Sequence, residues 1–519
     1  MVRESNHRVL ESFCVEQQAD NCGVVIFGAS GDLTRRKLLP ALFSLFVRDL
    51  LPEHFFVLGY ARTPKSDHEF RDEVRDAVAG NDEPNSDAER IGAFADRCYY
   101  LPGNYNDPDL YRALGKRIGE LDRMHDCGGN VAFYLSVPPT VYGDVVMQLG
   151  EAGLVNGKND AWRRVVIEKP FGHDVKSAED LNETLHTYLV ERQIYRIDHY
   201  LGKDTVQNIL MYRFANSIFE PLWDRNYIEH VEITAAEDIG VGHRAGYYDA
   251  NGLLRDMFQN HMLELLALVG MEPPCALTAE CIRDEKIKLL RAIRPFPKGE
   301  KLNDVLVRGQ YDRGSADGEE VAGYREESGV APDSRTETFV AARLFIDNWR
   351  WQGVPFLLRS GKRLKRRCTE IAVTYKPVPH SVFHPLQPEH LGPNVVVIRI
   401  QPDEGVGLEM QAKKPGPHLC MSSVSMDFRY KDAFGRQPQD AYSRLLLDCM
   451  LGDQTLFIRN DTIVQAWKLL APILQTFSED RAPGEKRTRV PLHRYEAGSA
   501  GPQAAYDLVE AHGFHWRKL

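Results

Sequence analysis

A chain of 519 residues with 43% hydrophobic and 27% charged side chains has apolar material for a sizeable core but too much length for a single one, so two domains are expected. Its formal net charge of −10 works against nucleic acid and anionic membrane as partners, and any anionic ligand must be drawn by a local cluster of cations. The opening Met1-Val2-Arg3-Glu4-Ser5 lacks the basic-then-apolar order of a signal peptide, and no apolar run nears the roughly 18 residues of a membrane helix, so the expected address is cytoplasmic.

Over the first 200 residues, short apolar runs at 24–27, 55–58, 131–137 and 165–167 alternate with amphipathic stretches. That alternation predicts a parallel α/β sheet. The first run feeds Gly28-Ala29-Ser30-Gly31-Asp32-Leu33, after which residues 34–46 read as a helix interrupted only by Pro40. A strand, a small-residue turn and a helix form the arrangement in which backbone amides and the helix dipole receive a pyrophosphate. The spacing is Gly-x-x-Gly, shorter than the full dinucleotide fingerprint, and a plain turn between strand and helix would look the same. A Walker A loop is excluded, because no Gly-Lys-Ser/Thr follows. The second run leads to Gly59-Tyr60-Ala61-Arg62. An NAD enzyme places a carboxylate there for the adenosine ribose. Arg62, with Ser30, instead suits a 2′-phosphate and hence NADP. Residues 80–87 read as a surface loop.

Glu168-Lys169-Pro170-Phe171-Gly172 puts a lysine at the carboxyl end of a strand, where ligands lie in open α/β sheets; Pro170 is expected to be cis. Arg196-Ile197-Asp198-His199-Tyr200-Leu201-Gly202-Lys203 gathers polar groups that can bind an anion. The step from His199 to Lys203 sets both on one face if the run opens a helix. Beyond residue 200, alternating stretches at 230–234, 371–375 and 395–400 predict a mainly antiparallel sheet, covered on one face by helices at 254–269 and 440–450. An apolar outer face would make a subunit interface. Glu237 follows the first of these strands. Arg255-Asp256-Met257-Phe258-Gln259-Asn260-His261 lies on the first helix, where a histidine by itself would most simply be a satisfied core residue. The basic run from Lys362 to Arg367 follows a buried stretch at 354–361 and reads as cations delivered to a cleft.

Nine cysteines are scattered and never spaced Cys-x-x-Cys, which suits a reduced compartment. Zinc spacings and His-Glu-x-x-His are both missing, so no metal is expected.

Taken in order, the Gly28–Leu33 turn, Gly59-Tyr60-Ala61-Arg62, Glu168-Lys169-Pro170-Phe171-Gly172, the run around Asp198, Gln259-Asn260-His261 and Gly361-Lys362 resemble glucose-6-phosphate dehydrogenases, from about residue 22 to about residue 475. The resemblance implies an α/β Rossmann-like NADP-binding domain over residues 1–200. It also implies an α+β domain with a large, mainly antiparallel sheet for substrate binding and oligomerisation over 201–519. The implied assembly is a homodimer or homotetramer. The implied reaction is oxidation of glucose 6-phosphate to the 6-phosphogluconolactone with formation of NADPH, the first step of the pentose phosphate pathway. By motif, His261 matches the general base and Asp198 the carboxylate that orients it. His199, Tyr200 and Lys203 match phosphate binders, and Glu237 and Asp256 match carboxylates for sugar hydroxyls. Lys362 and Arg367 match further substrate cations, while Lys169 matches a lysine touching sugar and nicotinamide. Gly28, Ala29, Ser30, Gly31, Asp32, Leu33, Arg62 and Tyr142 match the coenzyme side, and Lys37 and Gln401 are further candidates. Animal-type members hold a second, structural NADP partly by cations where Cys368, Ala372 and Glu409 align here, so that site is not expected. Two other readings are a sugar-phosphate isomerase or reductase with a similar dinucleotide loop and a non-catalytic NADP sensor; the sensor would not need His261.

Overall fold

The structure, a computed structural model, describes residues 17–80, 87–157, 160–316, 318–384, 386–435, 440–479 and 490–519. The opening five residues, Cys14 and most of the expected loop at 80–87 lie outside them. The chain divides into two compact units. One comprises the described parts of Met1–Gly172, Lys176–Gly202 and Gln439–Asn460, the other those of His173–Val175, Lys203–Pro438 and Asp461–Leu519. Residues near 440–460, expected in the second domain, therefore belong to the first unit.

The first unit is built on a seven-stranded sheet. Its order is Phe457–Ile458, Ile194–Ile197, Arg163–Ile167, Val131–Leu135, Cys22–Phe27, Phe55–Ala61 and Cys98–Pro102. All neighbours are parallel except the two-residue strand Phe457–Ile458. Strands Cys22–Phe27, Phe55–Ala61 and Val131–Leu135 are buried along their whole length, which is why they read as unbroken apolar runs. Parallel neighbours require crossovers, and these are helical. Helix Pro108–His125 shows the local logic: Asp107 caps its N-terminus, Pro108 occupies the first turn, and the chain leaves through Asp126 in the left-handed region. Its buried residues Tyr111, Leu114, Ile118 and Leu121 recur every three or four positions and form one stripe. Residues 34–46, expected as one helix, instead form a wide turn, Thr34–Leu38, running into helix Leu39–Val47. Pro40 has no N–H to give to the preceding turn, and the Leu39 amide bonds five residues back to the Thr34 carbonyl.

The second unit carries a nine-stranded sheet in the order Met421–Arg429, Gly405–Lys413, Val395–Gln401, Cys368–Tyr375, Ile228–Ala236, Pro355–Gly361, Phe339–Phe345, Leu306–Asp312 and Leu492–Glu496. Pairing is antiparallel except between Ile228–Ala236 and Pro355–Gly361 and between Leu306–Asp312 and Leu492–Glu496. The sheet is thus mixed but mainly antiparallel. Helix Asp204–Phe214 packs against Val395–Gln401.

The segment with Asp256 and His261 winds as wide turns over Leu254–Met262 and continues as helix Leu263–Gly270. Every residue from Met257 to Met271 is buried, so the carbonyls at its end cannot reach water and need protein donors. Arg213 donates to Leu268 O at 3.0 Å and Met271 O at 2.9 Å. Trp223 Nε1 donates to Val269 O at 2.9 Å, and Trp351 Nε1 to Gly270 O at 2.7 Å. Burial pulls the Arg213 guanidinium down to about 10 against the support of Glu220, so it remains a cation at neutral pH. Trp351→Ala removes a wholly buried indole and a cap together, and should cost about 3–5 kcal/mol. Trp351→Phe keeps most of the volume but strands the Gly270 carbonyl, at about 1–3 kcal/mol. Urea unfolding read by far-UV circular dichroism checks both, with Trp349→Ala, at 92% exposure, expected to change stability by less than about 0.5 kcal/mol.

Candidate functional site

In the first unit, strand Cys22–Phe27 lies between Val131–Leu135 and Phe55–Ala61, where the order of connections reverses. Gly28 stands at its carboxyl end, the position at which open α/β sheets bind ligands. Gly28 has φ +80°, and a Cβ there would fall 1.9 Å from the Ser136 carbonyl oxygen, so only glycine fits. The turn is fixed by Gly28 N–H to Tyr60 O at 2.8 Å and Gly31 N–H to Gly28 O at 2.9 Å. The Thr34 hydroxyl donates to Gly28 O at 3.2 Å. Ala29 is buried beneath the turn, while Ser30 and Asp32 are exposed and Gly31 and Leu33 half-exposed. These features fit a dinucleotide: a small-residue cradle with no room for a side chain, opening onto helical turns.

Arg62 follows strand Phe55–Ala61 directly and is exposed, with its guanidinium 5.9 Å from the centre of the Tyr105 ring. Thr63 Oγ1 bonds Ser30 Oγ at 3.3 Å, tying the glycine turn to the Arg62 loop. Tyr142 is buried as the first residue of helix Tyr142–Glu151. Lys37 pairs with Asp440 at 2.9 Å.

Lys169 follows strand Arg163–Ile167, and the Lys169–Pro170 peptide is cis as expected. Beside it the Tyr134 hydroxyl donates to Glu168 Oε1 at 2.5 Å. Burial pushes the Glu168 carboxyl up, while the hydroxyls of Tyr134 and Tyr442 and the charge of Lys169 pull it back. Asp198 is buried and accepts the Tyr200 amide at 2.9 Å; Tyr200 is buried and His199 half-exposed, their rings 5.0 Å apart. The arginine of this run has a structural role. Arg196, 1% exposed, bonds Glu191 at 2.6 Å and Asn182 at 3.0 Å. Helix Asp204–Phe214 opens only after Lys203, which is its extended N-cap, so His199 and Lys203 do not share a helix face as the four-residue step suggested.

Two clusters form in the second unit. In one, Lys203 Nζ and Arg367 Nη2 both donate to the Gln401 amide oxygen, Arg367 at 3.1 Å, and Gln401 Nε2 donates to Thr369 at 2.9 Å. In the other, Lys362 Nζ lies 2.5 Å from Glu237 and 3.8 Å from Asp256, and 5.2 Å from the centre of the Tyr248 ring. The backbone sets this up, since Glu237 N–H bonds Gly361 O and Leu364 N–H bonds Glu237 O at 2.9 Å each. His261 is 1% exposed. Its amide donates to Asn260 Oδ1 at 2.6 Å, a bond the wide winding of that segment accommodates. Tyr248, Thr369, Tyr105 and the Glu168–Tyr134–Tyr442 group were not singled out from sequence. Lys203, Arg367 and Gln401 of the first cluster were named from sequence, but their meeting on one amide oxygen was not. Cys368 and Ala372 are buried in strand Cys368–Tyr375, and Glu409 pairs with Arg517 at 2.9 Å.

A parallel sheet with a phosphate-type glycine turn at its switch point, joined in one chain to a mixed-sheet unit bearing clustered cations and carboxylates, defines a dinucleotide-dependent oxidoreductase. Residues 25–208 match the glucose-6-phosphate dehydrogenase NAD-binding domain and residues 210–517 its C-terminal domain. The chain belongs to the glucose-6-phosphate dehydrogenase family. It is 49% identical to glucose-6-phosphate 1-dehydrogenase of Aggregatibacter actinomycetemcomitans, over 96% of this chain and 98% of that protein. It is 44% identical to glucose-6-phosphate 1-dehydrogenase 2 of Mycobacterium bovis, over 96% and 95%. A solved glucose-6-phosphate dehydrogenase in complex with its substrate is similar at TM-score 0.87 and 33% identity, covering 97% of this chain and all of that one. The Mycobacterium avium enzyme is similar at TM-score 0.79 and 37% identity, covering 96% and 99%. The family match runs to residue 517, past the point near 475 where the resemblance was read as ending. Among the described residues no helix is long and apolar enough to cross a membrane.

Proposed function

We propose that this chain oxidises glucose 6-phosphate at C1 to 6-phospho-glucono-1,5-lactone, and that its dinucleotide is NADP rather than NAD. Membership of the family over nearly the whole chain supports the reaction. The observation that carries the substrate is the meeting of two cations, Lys203 and Arg367, on one neutral oxygen of Gln401. A phosphate dianion takes charge-assisted hydrogen bonds from such donors far better than an amide does, at about 1.5–3 kcal/mol each.

In this reading His199, Tyr200 and Lys203 hold the phosphate, with Arg367 and Lys362 as further cations. Glu237 and Asp256, kept together by Lys362, accept hydrogen bonds from sugar hydroxyls. His261 takes the proton of the C1 hydroxyl, and Asp198 orients the imidazole and steadies its protonated form, the base-and-orienter logic of general base catalysis. Lys169 reaches both sugar and nicotinamide. The turn Gly28, Ala29, Ser30, Gly31, Asp32 and Leu33 receives the pyrophosphate on its amides, Arg62 the 2′-phosphate, and Tyr142 supports the coenzyme side. NADP, when bound, supplies the acceptor for the hydride from C1. A homodimer or homotetramer is part of the reading, supported by Val424, Met426 and Phe428 exposed along strand Met421–Arg429. So is a cytoplasmic address, supported by free thiols at the eight described cysteines.

His261→Asn should slow turnover by about 10²–10⁴-fold with little change in substrate affinity. NADPH absorbance under saturating substrate reads it, and full activity in this variant would remove His261 as the base. Lys203→Ala should raise KM for glucose 6-phosphate far more than for free glucose, since only the former presents a dianion; equal effects on the two sugars would deny it the phosphate. Arg62→Ala should weaken NADP much more than NAD in a calorimetric titration, and equal weakening would place the 2′-phosphate elsewhere.

A further inference from the structure

Helix Ala279–Ala292 begins at Thr278 after the stretch Pro273-Pro274-Cys275-Ala276-Leu277. Its third residue is Cys281, and the Cys281 sulfur lies 3.2 Å from that of Cys275. Cys275 is exposed and Cys281 half-exposed. The Cys281 sulfur is set among donors, accepting from the Thr278 hydroxyl, the Cys275 thiol and the Ala276 amide, and these hold its thiol below the ordinary range. The same contact keeps the Cys275 thiol high, so Cys281 is the readier nucleophile of a pair already in contact. A sulfur shift of about 1 Å converts their contact into a bond. The five buried thiols differ in kind. Burial pushes those of Cys127, Cys368 and Cys449 up to about 12 and those of Cys22 and Cys98 higher still.

We propose that Cys275 and Cys281 form a reversible dithiol–disulfide site that reacts with low-molecular-weight disulfides of the glutathione type. Cys281 thiolate attacks one sulfur of glutathione disulfide, breaking its S–S bond. A mixed disulfide forms at Cys281 and one glutathione leaves as thiolate. Cys275 then gives up its proton and attacks the Cys281 sulfur, forming the Cys275–Cys281 bond and expelling the second glutathione. The protein loses two electrons and two protons, and the oxidant becomes two molecules of glutathione. The disulfide staples the loop to the first turn of the helix. Its significance is as a point of modification.

The full-length protein, reduced and then incubated with glutathione disulfide, should lose two hydrogens by intact-mass spectrometry, with the bond mapped to Cys275–Cys281 by peptide analysis and reversed by dithiothreitol. Cys275→Ser, which lacks the resolving thiol, should instead retain one glutathione on Cys281, and Cys281→Ser should react at least tenfold more slowly at Cys275. An unchanged mass at these two residues, a glutathione that persists on the wild-type pair, or a bond mapped to any other cysteines would overturn the proposal.

Discussion

A helix that ends inside a protein must find donors for its last carbonyls, and the segment bearing Asp256 and His261 is held by how that demand is met. Leu268, Val269, Gly270 and Met271 each receive a buried side-chain donor, from Arg213, Trp223 and Trp351. Each carbonyl left unmet would cost about 1–3 kcal/mol. The opposite end is held as firmly, since Leu254 N–H bonds Glu337 Oε1 at 3.2 Å and Leu253 N–H bonds the Glu337 carbonyl at 3.2 Å. Gly252 turns the chain there at φ +73°, where a Cβ would meet Glu337 Oε1 at 2.4 Å. Anchored at both ends, the intervening turns can wind more widely than an α-helix and still keep one geometry. Wide turns of this kind recur at functional sites.

The two clusters of the second unit have opposite electrostatics, which suits different parts of one ligand. Lys203 and Arg367 bring two cationic donors together on the amide oxygen of Gln401. Lys362 is outnumbered by Glu237 and Asp256, leaving an acceptor-rich group with one cation to hold it together. The Glu404 carboxyl is pushed up by burial while the charge of Lys203 pulls it back. An overall charge of −10 is compatible with an anionic substrate, because attraction depends on the local arrangement of charge and not on the sum.

Much of this could be read from the chain itself, and the exceptions have physical reasons. The strands beginning at Cys22, Phe55 and Val131 are buried on both faces and show as apolar runs. Strand Ile194–Ile197 was hidden by Arg196, a cation that looks like loop material yet is wholly buried on Glu191 and Asn182. Leu306–Asp312 was hidden in the same way by the buried Arg308 and Gln310. Cys98–Pro102 is an edge strand ending in proline, and Phe457–Ile458 is too short to carry any period. At the site, residue types and local order singled out Lys203 and the basic run that opens at Lys362, and the family resemblance named Glu237 and Asp256. They could not supply pairings that span the sequence, such as Lys203 with Gln401 or Lys362 with Glu237, because a strand's partner depends on topology.

The same limit explains residues 440–460, which no local pattern assigns to the first unit. Three sets of long-range bonds do so. Arg164 donates to the carbonyls of Cys449 and Met450 at 2.6 Å each. Gln454 Nε2 donates to the carbonyls of Glu191 and Ile194 at 3.1 and 2.9 Å. The Tyr442 hydroxyl supports Glu168. Gly202 is closed against the same segment, since a Cβ there would meet the Ala441 carbonyl oxygen at 2.8 Å. These contacts converge on strands Arg163–Ile167 and Ile194–Ile197, the two that deliver Lys169 and Asp198. Neither strand has an apolar run long enough to place its terminal side chains unaided, and both lie toward the edge of the sheet. A segment from the far end of the chain supplies their support, at the loop-closure cost that any such long-range pairing carries.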